Sequence, residues 1–357
     1  MYSLNEKAKS IKPYVPVSGR LRIHLDANES FIELPEELRK RIGEKIEKLP
    51  LNRYPDLEAA EACAAFAGLY GVDKKSVVAG NGSDELISVI FNCFLEKGQS
   101  FATIEPDFSM YAFYGMLAEG KHVKINKNAD FGFDVDNAIK ICNNEAVRLL
   151  IFSNPCNPTS KGISAAEAAR LISSVDALVV LDEAYMDFWD ESMLSRMDEF
   201  DNLIILKTCS KAFGMAGIRM GFAAATQRLR DTMMAAKSPY NVNAVSQCIA
   251  AELLREKGLI EAALGQLLAS KTRLNNGLLK LAEKTCAFKV ISGVTNFVSI
   301  VMKDPEDFYE YLLGKGIAVR LTAGIIRVTC GTTEENNEFL SCAQGYFRGE
   351  RIWNDVP

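Results

Sequence analysis

The sequence has very little histidine and no long hydrophobic run. Its two histidines, His24 and His122, lie far apart, and its nine cysteines are scattered without a Cys-x-x-Cys pair. The usual ligand sets for zinc are therefore missing, and we expect no metal site. No apolar stretch approaches the roughly 20 residues of a membrane-spanning helix, and residues 1–7 lack the apolar core of a signal peptide. We expect a cytoplasmic protein with reduced cysteines, in which Cys209 is a packing residue rather than a nucleophile.

A surplus of positive charge is also missing. The 357 residues carry a net charge of −5 with a pI near 5.4, which argues against a nucleic-acid partner. No Gly-x-Gly-x-x-Gly follows an early strand, and a nicotinamide-dependent dehydrogenase is therefore a weak alternative. Hydrophobic residues make up 48% and charged residues 24%, as in ordinary globular proteins, and the length predicts two lobes.

The most informative segment is residues 208–219, Thr-Cys-Ser-Lys-Ala-Phe-Gly-Met-Ala-Gly-Ile-Arg. A preceding apolar strand delivers Lys211 into a loop of small residues, where crowding lowers the pKa of a lysine and leaves a nucleophilic amine. Thr208, Ser210 and Arg219 offer hydroxyls and a planar guanidinium to a phosphate. A Schiff-base lysine beside a phosphate site is what pyridoxal 5′-phosphate (PLP) requires. The alternative is a buried strand and turn with an incidental surface lysine.

Two further apolar runs end in polar residues that suit PLP. Residues 178–181 predict a buried strand with Asp182 at its carboxyl end, where ligands of parallel sheets bind. A carboxylate there can keep the pyridine nitrogen of PLP protonated, and Tyr185 can donate to its phenolate oxygen. Residues 149–153 predict an earlier strand, which ends in a proline-fixed turn that orients the Asn157 amide toward the same oxygen. Each motif alone also fits an ordinary loop.

In this order, the three segments resemble the fold-type I PLP-dependent aminotransferases, over nearly the whole chain. The Asn-Pro-x-Asn-Pro-Thr-Gly turn of that family matches residues 154–159, with Ser160 in place of its glycine. Its Asp-Glu-Ala-Tyr matches residues 182–185, and its Ser-Lys-x-x-x-x-x-Gly-x-Arg matches residues 210–219. The resemblance implies an α/β fold in which a large domain has a mostly parallel sheet between helices and a smaller domain is α+β.

The pattern along the chain predicts where these domains lie. Residues 51–255 alternate helical and short apolar segments, as a parallel α/β sheet does, and are expected to form the large PLP-binding domain. From residue 256 the pattern changes to α+β, and residues 256–357 are expected to form the small C-terminal domain. The resemblance implies that residues 1–50 supply an N-terminal arm and part of the small domain.

The resemblance also assigns the remaining contacts to the cofactor. Gly82, Ser83 and Asp84 open a predicted helix whose amino-terminal N–H groups suit the PLP phosphate. The alternative for this segment is a simple N-cap by Ser83. Phe108 resembles the residue that stacks on the pyridine ring, and Tyr111 is the alternative for that role.

Contacts to a second subunit and to the substrate rest on the resemblance as well. Tyr54, in Arg-Tyr-Pro-Asp, resembles a residue that reaches the PLP phosphate of the neighbouring subunit, which implies a homodimer with shared active sites. Arg327 matches the residue that holds the carboxylate of the amino-acid partner, and Arg320 resembles one that meets a substrate phosphate. Asn28 and Tyr14 resemble residues of an N-terminal arm that closes over the substrate. The alternative for this arm is a terminal segment with a few packing anchors.

Within the family, the chain most resembles the histidinol-phosphate aminotransferases. That resemblance implies transamination between an amino donor and a 2-oxo acid, 2-oxoglutarate, in histidine biosynthesis, with Lys211 binding PLP and acting as general base. One alternative is a threonine-phosphate decarboxylase, although that family usually carries His-Gly-Gly where this chain has residues 26–29. Another is a broad-specificity or aromatic amino-acid aminotransferase, which has less need of Arg320. A PLP-binding regulator is disfavoured because no basic helical segment precedes residue 50.

Overall fold

The computed structural model describes residues 2–11 and 21–349. The strands are β1 (Ile23–His24), β2 (Val77–Gly80), β3 (Ser100–Glu105), β4 (Lys121–Asn126), β5 (Val147–Ser153), β6 (Leu178–Asp182), β7 (Leu203–Thr208), β8 (Gly221–Ala225), β9 (Phe288–Ile291), β10 (Phe297–Met302), β11 (Ile317–Ala318), β12 (Arg320–Thr322) and β13 (Ile325–Thr329). The α-helices are α1 (Glu6–Ser10), α2 (Glu36–Ile46), α3 (Ala60–Tyr70), α4 (Ser83–Phe94), α5 (Met110–Leu117), α6 (Val135–Asn144), α7 (Ala165–Ser173), α8 (Gln227–Ala236), α9 (Ala244–Leu254), α10 (Lys257–Thr285), α11 (Pro305–Gly314) and α12 (Thr333–Phe347). Short 3-10 helices cover Lys74–Ser76, Met186–Phe188, Leu194–Glu199 and Ala216–Ile218.

The central sheet has seven strands in the order β2-β8-β7-β6-β5-β3-β4. Its neighbouring strands are parallel, except that β8 runs antiparallel to both β2 and β7. The α/β prediction with a mostly parallel sheet is therefore confirmed.

Helices cover both faces of this sheet, which is why its inner strands read as continuous apolar runs. Side chains of α3, α6, α7 and α9 form one core with strand residues such as Val179 and Leu203. Side chains of α4, α5 and α8 form a second core with the alternate residues, such as Val180 and Ile204. The alternation follows from the two-residue period of a strand, and it buries β5, β6 and β7 on both sides.

A third core forms around a smaller, antiparallel sheet with the order β12-β13-β10-β9. Helices α10, α11 and α12 pack on it, and Phe297, Phe308 and Phe339 lie buried between them. Strand β1 near the amino terminus joins this region because it pairs in parallel with β11. Helix α10 contributes to both regions, with Ile260 in the large-sheet core and Leu267 in the smaller one.

Strand register determines where the loops of the central sheet meet. Across β5 and β6, Ser153 stands opposite Asp182, and across β6 and β7, Asp182 stands opposite Leu206. The loops that follow these parallel strands therefore leave the sheet side by side at one edge, where the first turn of α4 also begins after β2. Within residues 2–11 and 21–349, no helix is both long enough and apolar enough to span a membrane.

Candidate active site

Lys211 lies in a cleft between the carboxyl edge of the central sheet and the segment that follows β1. Its Nζ atom donates a hydrogen bond to the Ala27 carbonyl oxygen at 2.8 Å, and it lies 6.0 Å from the centre of the Tyr185 ring. Desolvation in the cleft, together with the smaller effect of the nearby Arg327 guanidinium, lowers the pKa of Lys211 to about 8. A substantial part of the amine is therefore uncharged just above neutral pH.

Asp182, the last residue of β6, is a buried carboxyl group with two donors. The Tyr111 hydroxyl donates to its Oδ2 at 2.7 Å, and the Ala184 backbone N–H donates to its Oδ1 at 3.0 Å. Burial raises the pKa of Asp182 to about 6, although both hydrogen bonds favour the carboxylate and act in the opposite direction. Near neutral pH the group is a carboxylate that can hold a proton on a basic ring nitrogen.

Tyr111 is a functional residue whose role the sequence did not reveal. Its side chain is fully buried, and burial together with the Asp182 charge raises the pKa of its hydroxyl well above the ordinary value, so it remains a protonated donor. Phe108, the residue expected to stack on a pyridine ring, is half-buried next to Tyr111. The two rings meet edge to face at 5.5 Å.

Glu183 follows Asp182 but is engaged outside the cleft. Its carboxylate accepts hydrogen bonds from the Ser192 hydroxyl at 2.6 Å and the Met193 backbone N–H at 2.7 Å. Lys207, itself buried, lies 3.9 Å from Glu183 and makes a closer ion pair with Asp187 at 2.9 Å. These contacts fix the turn after β6, and thereby the direction of Asp182.

A cradle of backbone and hydroxyl groups forms at the start of α4. Gly82 is the N-cap of this helix at a φ of 82°, so the alternative of an N-cap by Ser83 is wrong. A Cβ added at Gly82 would lie 2.8 Å from Arg219 Nη2, and one added at Gly221 would lie 2.4 Å from the Ser83 backbone nitrogen. Glycine at these two positions thus lets Arg219 and β8 approach the amino terminus of α4 closely, and a helix amino terminus beside a guanidinium suits a phosphate.

The loop before Lys211 supplies the other side of this cradle. The Thr208 hydroxyl donates to Ser210 Oγ at 3.1 Å, and Arg219 Nη1 donates to the same oxygen at 3.5 Å. Arg219 Nη2 pairs with Asp84 at 3.3 Å, which holds the guanidinium at the start of α4. Thr208, Ser210, Arg219, Asp84 and the α4 amino terminus are therefore brought together.

Asn157 and Arg327 meet across the cleft. Arg327 Nη1 donates to Asn157 Oδ1 at 2.6 Å, and its Nη2 donates to the Asp26 carbonyl oxygen. Because Asn157 accepts through Oδ1, its Nδ2 group is left to donate to a ligand. Arg327 is 7% exposed and is held over the Phe297 ring, with 5.5 Å between the guanidinium carbon and the ring centre.

Asn28 closes the cleft next to Tyr185. Its Nδ2 donates to the Tyr185 hydroxyl at 2.7 Å, and its Oδ1 accepts from the Thr329 hydroxyl at 3.1 Å. Arg320 stands directly opposite Arg327 across β12 and β13 and is half-buried. Tyr14 lies outside the described residues.

Tyr54 is the predicted site residue that the fold leaves away from the cleft of its own chain. It is 81% exposed and stacks on Tyr240 with 4.6 Å between the ring centres. Cys209, by contrast, is buried without being reactive, because burial raises the pKa of its thiol and a nucleophile needs the opposite shift. Within the described ranges, no cluster of three or more His, Cys, Asp or Glu side chains is suited to a metal ion.

The residues of the cleft fit PLP. An amine of lowered pKa, a buried carboxylate and an aromatic ring match its aldehyde, pyridine nitrogen and ring face. The amino terminus of α4 beside the Arg219 guanidinium matches its phosphate.

Comparison with known proteins agrees with this chemistry. The family model for class I and II aminotransferases matches residues 22–341. The histidinol-phosphate aminotransferase of Clostridium novyi is 37% identical over 342 residues, which cover 94% of this chain and 95% of that protein. The enzyme of the same name from Thermococcus gammatolerans is 34% identical, with coverage of 98% and 99%.

Solved structures share the fold at lower identity. The histidinol-phosphate aminotransferase of Sinorhizobium meliloti, determined in complex with PLP, has a TM-score of 0.87 at 20% identity and covers 98% of both chains. The L-threonine-O-3-phosphate decarboxylase of Porphyromonas gingivalis has a TM-score of 0.77 at 20% identity, covering 91% of this chain and 99% of its own.

Replacing Tyr111 by Phe removes a donor from the Asp182 carboxylate. We expect kcat to fall about tenfold and the acidic limb of the pH–rate profile to move to higher pH, since a lost hydrogen bond to the charged form raises the pKa of Asp182 further. The matched control is Tyr114→Phe, which removes a half-buried hydroxyl from the same helix. An unchanged kcat and an unchanged acidic limb in Tyr111→Phe would contradict this role.

The lowered pKa of Lys211 predicts how PLP incorporation depends on pH. Only the uncharged amine attacks the aldehyde, so the rate should rise with pH and level off above the Lys211 pKa of about 8. Stopped-flow absorbance of the PLP-free protein mixed with PLP at a series of pH values measures this rate. A rate that keeps rising toward pH 10.5, the ordinary lysine value, would show that the cleft does not perturb the amine.

Proposed function

We propose that this chain, which belongs to the class I and II aminotransferase family, transfers the amino group of L-histidinol phosphate to 2-oxoglutarate. The chain is a PLP-dependent aminotransferase, and relatives covering more than nine-tenths of it carry the histidinol-phosphate name. This biosynthetic role supports a cytoplasmic location.

The observation that carries the choice of substrates is the pair Arg320 and Arg327. They stand opposite each other on antiparallel strands, so their side chains leave the same face of the sheet. Arg327 binds the α-carboxylate of glutamate or 2-oxoglutarate through its guanidinium fork. Arg320 binds the phosphate of histidinol phosphate and, in the other half of the reaction, the second carboxylate of 2-oxoglutarate. Asn28 and Tyr14 contribute to the same substrate site.

PLP supplies an electron sink when it is bound. The Gly82–Asp84 turn, Thr208, Ser210 and Arg219 would hold its phosphate, and Phe108 would contact its ring. Asp182 holds a proton at the pyridine nitrogen, while Asn157 and Tyr185 bind the phenolate oxygen.

Lys211 is the group that transfers the substrate's proton. The Nζ atom, partly uncharged just above neutral pH because of its lowered pKa, takes the proton from the substrate's Cα as general base. The Tyr111 hydroxyl keeps Asp182 charged and fixed in direction throughout.

The substrate assignment is tested by the absorbance of the PLP-loaded protein. Adding L-histidinol phosphate should convert the cofactor band to that of the amino form, and 2-oxoglutarate should restore it. Release of carbon dioxide from L-threonine phosphate would instead identify a decarboxylase. Conversion by L-phenylalanine with no response to histidinol phosphate would identify an aromatic aminotransferase.

We also propose that residues 51–255 form the PLP-binding domain, and that two copies share their active sites through Tyr54. The exposed apolar surface around Tyr54, which includes Leu51, Leu57 and Tyr240, supports a second copy of this chain as its occupant. In such a dimer, Tyr54 of one subunit contacts the phosphate bound by the other, and residues 1–50 join the small domain of residues 256–357.

Complementation tests the shared site. Lys211→Ala and Tyr54→Ala each damage both sites of their own homodimers, but a mixed dimer keeps one site with an intact lysine and an intact tyrosine. When the two variants are co-expressed with different affinity tags, the total dimer population should regain about a quarter of the parent activity. Half of the dimers are then mixed, and each mixed dimer has one intact site of two. No gain over the separate variants would contradict a shared site.

A further inference from the structure

A buried serine occupies the place of the family's glycine in the loop that follows β5. Ser160 is fully buried, and its φ of 61° lies in the left-handed region that favours glycine. A serine in this conformation costs backbone strain that glycine avoids, so its hydroxyl is expected to make compensating contacts. Both hydrogen bonds of this hydroxyl join it to the turn between β9 and β10 of the smaller sheet.

The Ser160 hydroxyl is paired with Thr295, in the turn between β9 and β10. Ser160 Oγ accepts a hydrogen bond from the Thr295 backbone N–H at 3.2 Å and lies 2.6 Å from Thr295 Oγ1. Thr295 Oγ1 donates to the Phe297 carbonyl oxygen at 3.3 Å, so the Ser160 hydroxyl is the donor in the pair. Thr295 is itself fully buried, and its N–H would lose this partner if residue 160 had no hydroxyl.

Further contacts press the same loop against the smaller sheet. The Val294 backbone N–H donates to the Ser160 carbonyl oxygen at 2.9 Å, and Ser299 Oγ donates to the Pro158 carbonyl oxygen at 2.5 Å. A Cβ at Gly293 would lie only 2.0 Å from the Ser160 carbonyl oxygen, so the approach depends on a glycine there.

These contacts lie between two residues of the active site. Asn157 belongs to the docked loop, and Arg327 stands opposite Ser299 across β10 and β13. We infer that Ser160 is a positioning residue, whose hydrogen bonds to Thr295 hold Arg327 at a fixed distance from the Asn157 loop. The carboxylate-binding guanidinium then keeps its place relative to the cofactor. This inference rests on the proposed function, in which Arg327 binds the substrate carboxylate.

The test uses the PLP-loaded protein and glutarate, a dicarboxylate that cannot react. Ser160→Gly suits the left-handed backbone and removes the short side chain that carries the hydroxyl. We expect calorimetric titration to give a Kd for glutarate about tenfold higher than that of the parent, and KM for 2-oxoglutarate to rise with it. The Kd for PLP should stay unchanged. Thr295→Val should raise the Kd for glutarate by a similar factor. The double variant should bind glutarate no more weakly than either single variant, because both changes break the same contact.

Ser270→Ala is the matched control for losing a buried hydroxyl. Ser270 is fully buried and donates to the Gly331 carbonyl oxygen at 2.6 Å, within the smaller region alone. It should lower the thermal midpoint while leaving the glutarate Kd at the parent value. If the glutarate Kd of Ser160→Gly equals that of the parent, Ser160 is a packing residue and the inference is overturned. If the parent itself does not bind glutarate, the proposed role of Arg327 fails first, and the inference falls with it.

Discussion

The active site depends on the register of three parallel strands. Because β5, β6 and β7 are hydrogen-bonded with Ser153 beside Asp182 and Asp182 beside Leu206, the loops after them leave the sheet at the same edge. Buried apolar side chains on both faces fix this register, since a one-residue slip would turn them to the wrong side. The amide, carboxylate and lysine that we propose as PLP-binding groups are thereby aligned by the core rather than by one another.

Burial then gives these groups their chemistry. Desolvation raises the pKa of Asp182 to about 6 and lowers that of Lys211 to about 8, so both move toward neutral pH from opposite sides. Tyr111 limits the first shift by donating to the carboxylate. The cleft thus holds a charged acid and a partly uncharged amine under the same conditions, which is the combination that amino-group transfer requires.

Much of this site was predictable because its signals are local. An apolar run followed by Asp182, or by a loop with Lys211, indicates a strand and a ligand-binding end within a few residues of sequence. The Tyr111–Asp182 hydrogen bond and the Ser160–Thr295 contact were not predictable, since 71 and 135 positions separate their partners and only the folded chain brings them together. Likewise, periodicity does not distinguish Gly82 from Ser83 as the N-cap, because the choice depends on a φ of 82°.

The most direct test is to locate PLP on the chain. The PLP-loaded protein would be reduced with borohydride, digested and analysed by mass spectrometry. One phosphopyridoxyl group per chain on the peptide that contains Lys211 is the predicted result. Label on another lysine, or none on a protein that otherwise folds normally, would contradict the assignment of this cleft as the catalytic site.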